Sequence, residues 1–132
     1  MATVQLNHTI VWCRDKQRSA AFLTELLDLP PPVPFGPMLV VALGNGVSMD
    51  YYDSDAFSQQ HYAFLLDEAG FDALHAKLRS RGLAHWADPA RQQANRINHH
   101  FGGRGVYFED PDGHLLEAIT RPYDLAAFPT AA

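Results

Sequence analysis

The chain writes one order of elements twice, and that repetition limits its possible folds more than any other feature. Residues 4–12 alternate, with Leu6, His8, Ile10 and Trp12 on one face, and predict a strand whose inward face carries His8. After Asp15, the positions Ser19, Phe22, Leu23, Leu26 and Leu27 keep helical spacing until Asp28, Leu29 and Pro30 end the run. Residues 30–37 hold five prolines in eight positions, which excludes a helix or a regular central strand and reads as a stiff loop. Residues 38–43 and 47–52 then predict a hairpin around Gly44, Asn45 and Gly46.

The pattern restarts after that hairpin. Residues 61–66 predict a strand with His61, Ala63 and Leu65 on one face, and Phe71, Leu74, His75 and Leu78 form a helical stripe that stops at Gly82. Residues 83–103 are less regular, with a short strand expected near His85 and Trp86. Residues 104–109 and 114–120 make a second hairpin around Asp110, Pro111, Asp112 and Gly113, where Pro presets φ and Gly takes the left-handed position. The expected product is one domain over residues 1–132, with a βαβββ module over about 1–57 and another over about 58–124.

Composition narrows the function. Hydrophobic residues make up 47% of the chain, enough for a packed core. The net charge is -5 and the Lys and Arg residues are scattered, so no phosphate-binding footprint exists and nucleic acid is not an expected partner. Cys13 is the single cysteine, which excludes an internal disulfide framework and a Cys-rich zinc site and suits a reducing cytoplasm. No apolar run approaches the roughly 18 residues that a membrane span requires. A soluble cytoplasmic protein acting on a small molecule is expected.

The repeat also pairs chemically useful side chains. His8 and His61 take matching places on the first strand of each module; Asp50 and Glu117 each lie four residues after the last glycine of a hairpin turn. Glu117 shares a face with Leu115 and Ile119, so an ionised carboxylate there needs a partner. Two imidazoles with one or two carboxylates suit a divalent cation such as Fe, Mn, Ni, Zn or Co, with open positions for substrate. The plainer alternatives are a core role for His8, an ion pair of Glu117 with Arg104 or Arg121, and a solvent-facing place for Asp50. His114 reads as a surface or packing residue, and His75 and His85 as solvated ones. The loop residues His99, His100 and Phe101, with Arg104 and Trp86, are candidate substrate contacts. Trp12, Tyr52 and Tyr107 are either pocket walls or core.

The doubled βαβββ order, a histidine on the opening strand of each half, and the run GVYFEDPDGHLLEAIT resemble the vicinal oxygen chelate superfamily of glyoxalases, bleomycin resistance proteins and extradiol dioxygenases. The resemblance covers nearly all of residues 6–122. It implies an α+β fold with a curved eight-stranded mixed sheet around a metal-binding cleft, and usually a homodimer. It also implies that His8, His61 and Glu117 hold a divalent metal. Glyoxalase I-like members add a fourth ligand, which here falls on Asp50, although Asp stands where Glu or Gln is usual. Asp50 is then a ligand, a general base or part of the cavity lining. The chemistry implied is chelation of two neighbouring substrate oxygens, in a glyoxalase I-like lyase or isomerase or in an extradiol-type dioxygenase. The alternatives are a thiol transferase of the fosfomycin-resistance type and a non-catalytic small-molecule or antibiotic-binding resistance protein.

Overall fold

A computed structural model describes residues 3–127. The first module contains β1 (His8–Cys13), α1 (Lys16–Leu27), β2 (Val33–Phe35), β3 (Met38–Ala42) and β4 (Ser48–Asp53). The second contains β5 (His61–Leu65), α2 (Glu68–Ser80), β6 (His85–Trp86), β7 (Gly105–Glu109) and β8 (Leu115–Ile119). The fold is α+β and built from two βαβββ modules. Its strands are hydrogen-bonded as two sheets of four, in the orders β1-β4-β3-β2 and β5-β8-β7-β6, rather than as one sheet of eight. In each sheet the first and last strands of the module pair in parallel and the remaining pairs are antiparallel.

Both helices begin where their sequences supply a cap. Asp15 accepts from the amides of Gln17 and Arg18, and Asp67 accepts from that of Gly70. The first helix ends with Asp28 in the left-handed conformation, at φ 53°. Prolines did not exclude a strand from residues 30–37: Val33–Phe35 pairs antiparallel with β3, at the edge of its sheet where a missing amide is tolerated.

The chain divides into two compact units, residues up to Gln59 with Asp110–Gly113, and Gln60–Glu109 with the chain from His114 onward. In the first unit α1 packs on β3 and β4, and the core holds Val11, Cys13, Leu23, Leu26, Val41 and Tyr51. This corrects the expected facing of the opening strand. Val11 and Cys13 are buried, whereas His8, Ile10 and Trp12 lie on the open face. The second unit repeats the arrangement. Phe64 is buried, His61, Ala63 and Leu65 are exposed, and Phe71, Leu74 and Leu78 of α2 are fully buried. Alternation fixes which residues share a face, but both faces of these strands are apolar, and the helix decides which one is sealed.

The turn of the second hairpin is more than a reversal. Asp112 is buried in the first unit, where it accepts from the Arg14 amide at 3.0 Å and the Ser19 hydroxyl at 2.6 Å. Asp110 accepts from the Asp112 amide at 2.9 Å. Burial, with Asp112, Asp53 and Asp110 nearby, pushes the Cys13 thiol up to about 12, so it stays protonated and inert.

Candidate active site

The parallel strand pairs set the geometry of both His-acid pairs. His8 lies opposite Ser48 and Ile10 opposite Asp50; His61 lies opposite Leu115 and Ala63 opposite Glu117. Each histidine therefore stands at the same register from its acid. On the adjoining antiparallel strands, Val40 faces Asp50 and Tyr107 faces Glu117.

In the second unit the pair is closed. His61 Nε2 is 3.0 Å from Glu117 Oε1, and its Nδ1 is 2.9 Å from the Leu115 carbonyl oxygen. A carbonyl only accepts, so Nδ1–H donates and the ring presents Nε2 to the carboxylate. Nε2 then carries a second proton, as in an imidazolium-carboxylate pair, or shares a cation with Glu117. The 3.0 Å separation is that of a hydrogen-bonded pair, and both atoms are of the type that would hold a divalent cation. Fixing the imidazole through Nδ1 to a backbone carbonyl is the usual way a metal-binding histidine is oriented. The pair therefore offers two of the donors that a divalent metal would take.

Tyr107 completes this cluster. Its hydroxyl donates to Glu117, and burial together with the Glu117 charge raises its pKa well above the usual phenol range. Its ring stacks on His61 with centroids 6.2 Å apart. Glu117 itself is only 4% exposed, so the Tyr107 hydroxyl and His61 supply the polar partners that a buried carboxylate needs. Trp86 lies opposite Tyr107, which sets Trp86, Tyr107, Glu117 and Ala63 in one row across the sheet. Tyr107 was legible only as wall or core. The register of the hairpin, read outward from the turn at 110–113, is the signal that pairs it with Glu117.

The first unit holds His8 and Asp50. Asp50 is buried, not solvent-facing, and accepts from the Ser48 hydroxyl at 2.8 Å. His8 is exposed and its Nδ1 is 2.7 Å from Asn7 Oδ1. Both residues line a cavity on the open face of this sheet, with a volume of about 460 Å³. Among the described residues no three His, Cys, Asp or Glu side chains are assembled as a metal-binding group; His61 and Glu117 come together as a pair.

The other candidates are placed differently. Arg104 donates to Glu68 and Asp72 of α2 and lies over the Phe71 ring at 4.5 Å, which commits its guanidinium to holding the helix. Trp86 is half-buried, with Arg91 over its ring at 5.8 Å. His99 and His100 are exposed, and Phe101 stands at φ 57° within a short 3-10 turn, its ring 5.9 Å from that of Tyr123. His114, read as a surface or packing residue, packs: it is fully buried and accepts from the Gln60 amide at 2.9 Å. His85, expected in solvent, is instead 3% exposed and its Nδ1–H donates to the Leu83 carbonyl. No helix among the described residues is long and apolar enough to cross a membrane.

Known proteins share this architecture and part of its sequence. Two solved oxidases, ChaP-H1 and ChaP-H2, superpose with TM-scores of 0.90 and 0.89 at 50% and 53% identity, over 92% of this chain and 98% and 97% of theirs. The glutathione transferase FosA of Serratia marcescens is 30% identical over 119 residues, 85% of this chain and 77% of that protein. The model of the Glyoxalase/Bleomycin resistance protein/Dioxygenase superfamily matches residues 5–118, and the chain belongs to that superfamily.

Proposed function

We propose that this protein is a divalent-metal-dependent oxidase that chelates two vicinal oxygens of a small aromatic substrate. The observation that carries the reading is the His61–Glu117 pair, with Nδ1 of the histidine tied to a carbonyl and Nε2 turned to a buried carboxylate. His8 is the proposed third ligand, which gives the two-histidine, one-carboxylate set suited to non-haem iron. When bound, the metal supplies Lewis acidity and a template for two substrate oxygens. Similarity to two oxidases at 50% and 53% identity favours oxidation over isomerisation.

The chain's own residues account for the rest. Tyr107 keeps Glu117 oriented, and its hydroxyl stays protonated because burial and the neighbouring carboxylate oppose its ionisation. Asp50 is the proposed general base, receiving the proton of a substrate hydroxyl while Ser48 holds one of its oxygens. Trp86 and Tyr107 offer flat faces to an aromatic ring. Phe101, His99 and His100 are proposed to border the substrate from their loop, and the working form is proposed to be a homodimer.

A thiol transferase is the second reading, favoured by the 30% identity to FosA. The strand residues of the Glu117 face, from Trp86 through Tyr107 to Ala63, carry no cation for a phosphonate, and the Arg91 guanidinium over Trp86 is engaged by Glu109 at 2.6 Å, which weakens it. Metal analysis followed by three assays separates the readings. Oxygen uptake with a catechol that is lost in Glu117→Gln supports the oxidase. Conjugation of glutathione to fosfomycin, or turnover of a hemithioacetal, without oxygen uptake overturns it.

A further inference from the structure

We propose that the cavity of the first unit selects a substrate whose ring is neutral away from its two chelating oxygens, and rejects one that bears its own anionic substituent. This inference rests on the oxidase reading. The cavity floor holds His8, Ser48 and Asp50, and its wall is apolar, formed by Val33, Phe35 and Val40. A volume of about 460 Å³ lies within the range of small-molecule sites, a few hundred cubic ångströms and upward.

Three features point to a neutral ring. Among the described residues no Lys or Arg lines the cavity. Asp50 is only 5% exposed, so its charge is poorly screened and repels a second anion. Lastly, Val33 and Phe35 are 62% and 69% exposed on a strand stiffened by Pro34 and preceded by Pro30, Pro31 and Pro32. Such apolar exposure on a rigid edge is a contact surface that the described residues leave uncovered. Its register places it beside the acid, because Val33 pairs with Val40 and Val40 with Asp50. A ring whose hydroxyls face His8 and Asp50 meets this wall with its far side.

The test compares two probes that share the diol and differ at one substituent, 4-methylcatechol and 3,4-dihydroxybenzoate. Calorimetric titration of the metal-loaded protein is expected to show at least about tenfold tighter binding of the methyl compound. Phe35→Lys, at an exposed edge position, is expected to reduce the preference to about twofold or less, and Asp50→Asn to reduce it as well. Equal binding of both probes, or binding of neither at millimolar concentration, overturns the proposal. An unchanged preference in Phe35→Lys together with an altered sedimentation coefficient also overturns it, since the wall then serves a second copy of the chain. The preference belongs to the lining and is expected to persist without metal. Failure of metal binding therefore removes the oxidase reading alone, while loss of the preference with metal bound removes this inference alone.

Discussion

The two modules set a histidine and an acid at the same register of a parallel strand pair and then use them differently. In the second, Glu117 reaches His61 and takes a hydrogen bond from Tyr107. In the first, Asp50 is one methylene shorter and is engaged by Ser48, while His8 turns to Asn7. The facing residue differs as well, Val40 in the first and Tyr107 in the second. A repeated backbone thus supplies equivalent positions, and side-chain length with one cross-strand neighbour decides which position becomes a tight donor pair.

The sharpest way to break this contrast is to remove the donor pair. His61→Ala or Glu117→Gln is expected to lower metal affinity by more than about 100-fold, beyond the 10–100-fold typical of losing an orienting partner, with activity falling alongside. Asp50→Asn should leave metal content unchanged and lower kcat by about 10²–10⁴-fold, the range of a lost general base. Metal loss in Asp50→Asn would make the two modules functional equals. Glu117→Asp tests the role of length by giving the second module the acid of the first. It is expected to weaken metal binding about tenfold and to cost about 1 kcal/mol of stability, because the hydroxyl of the half-buried Tyr107 loses its acceptor. Elemental analysis and chemical denaturation read these outcomes.

Alkaline titration compares the modules through one group each, the buried Cys13 and the half-buried Tyr107. The folded pKa values of Cys13 and Tyr107 are both raised, so their stabilising effect is complete below the unfolded values and is lost as pH rises through the folded ones. For Cys13 the window runs from about pH 9 to about 12, and for Tyr107 it begins near pH 10. Tyr107→Phe should remove its part of the alkaline loss, and a denaturation series from pH 8 to 11 detects the difference. The smallest effect is expected at Arg104. Arg104→Ala loses ion pairs to two exposed acids and a ring contact, about 1 kcal/mol in all, with KM unchanged. A raised KM would return Arg104 to the substrate.

Much of this was legible in the chain itself. Alternation, helical spacing and turn residues determined the two modules, both helices, both hairpins and the matched places of His8 and His61, because local backbone preference and periodicity are properties of short segments. The DPDG run determined a turn. Only the tertiary structure decided that its Asp112 is buried against Arg14 and Ser19, since those partners are more than ninety residues away. It also decided which face of β1 and β5 is sealed, because strands apolar on both sides carry no local mark of where a helix will pack. The proline-rich segment became an edge strand for a related reason: pairing on one side alone tolerates the amides that proline lacks. The difference between Asp50 and Glu117 was decided last, by one methylene and by whether the residue across the ladder was Val40 or Tyr107.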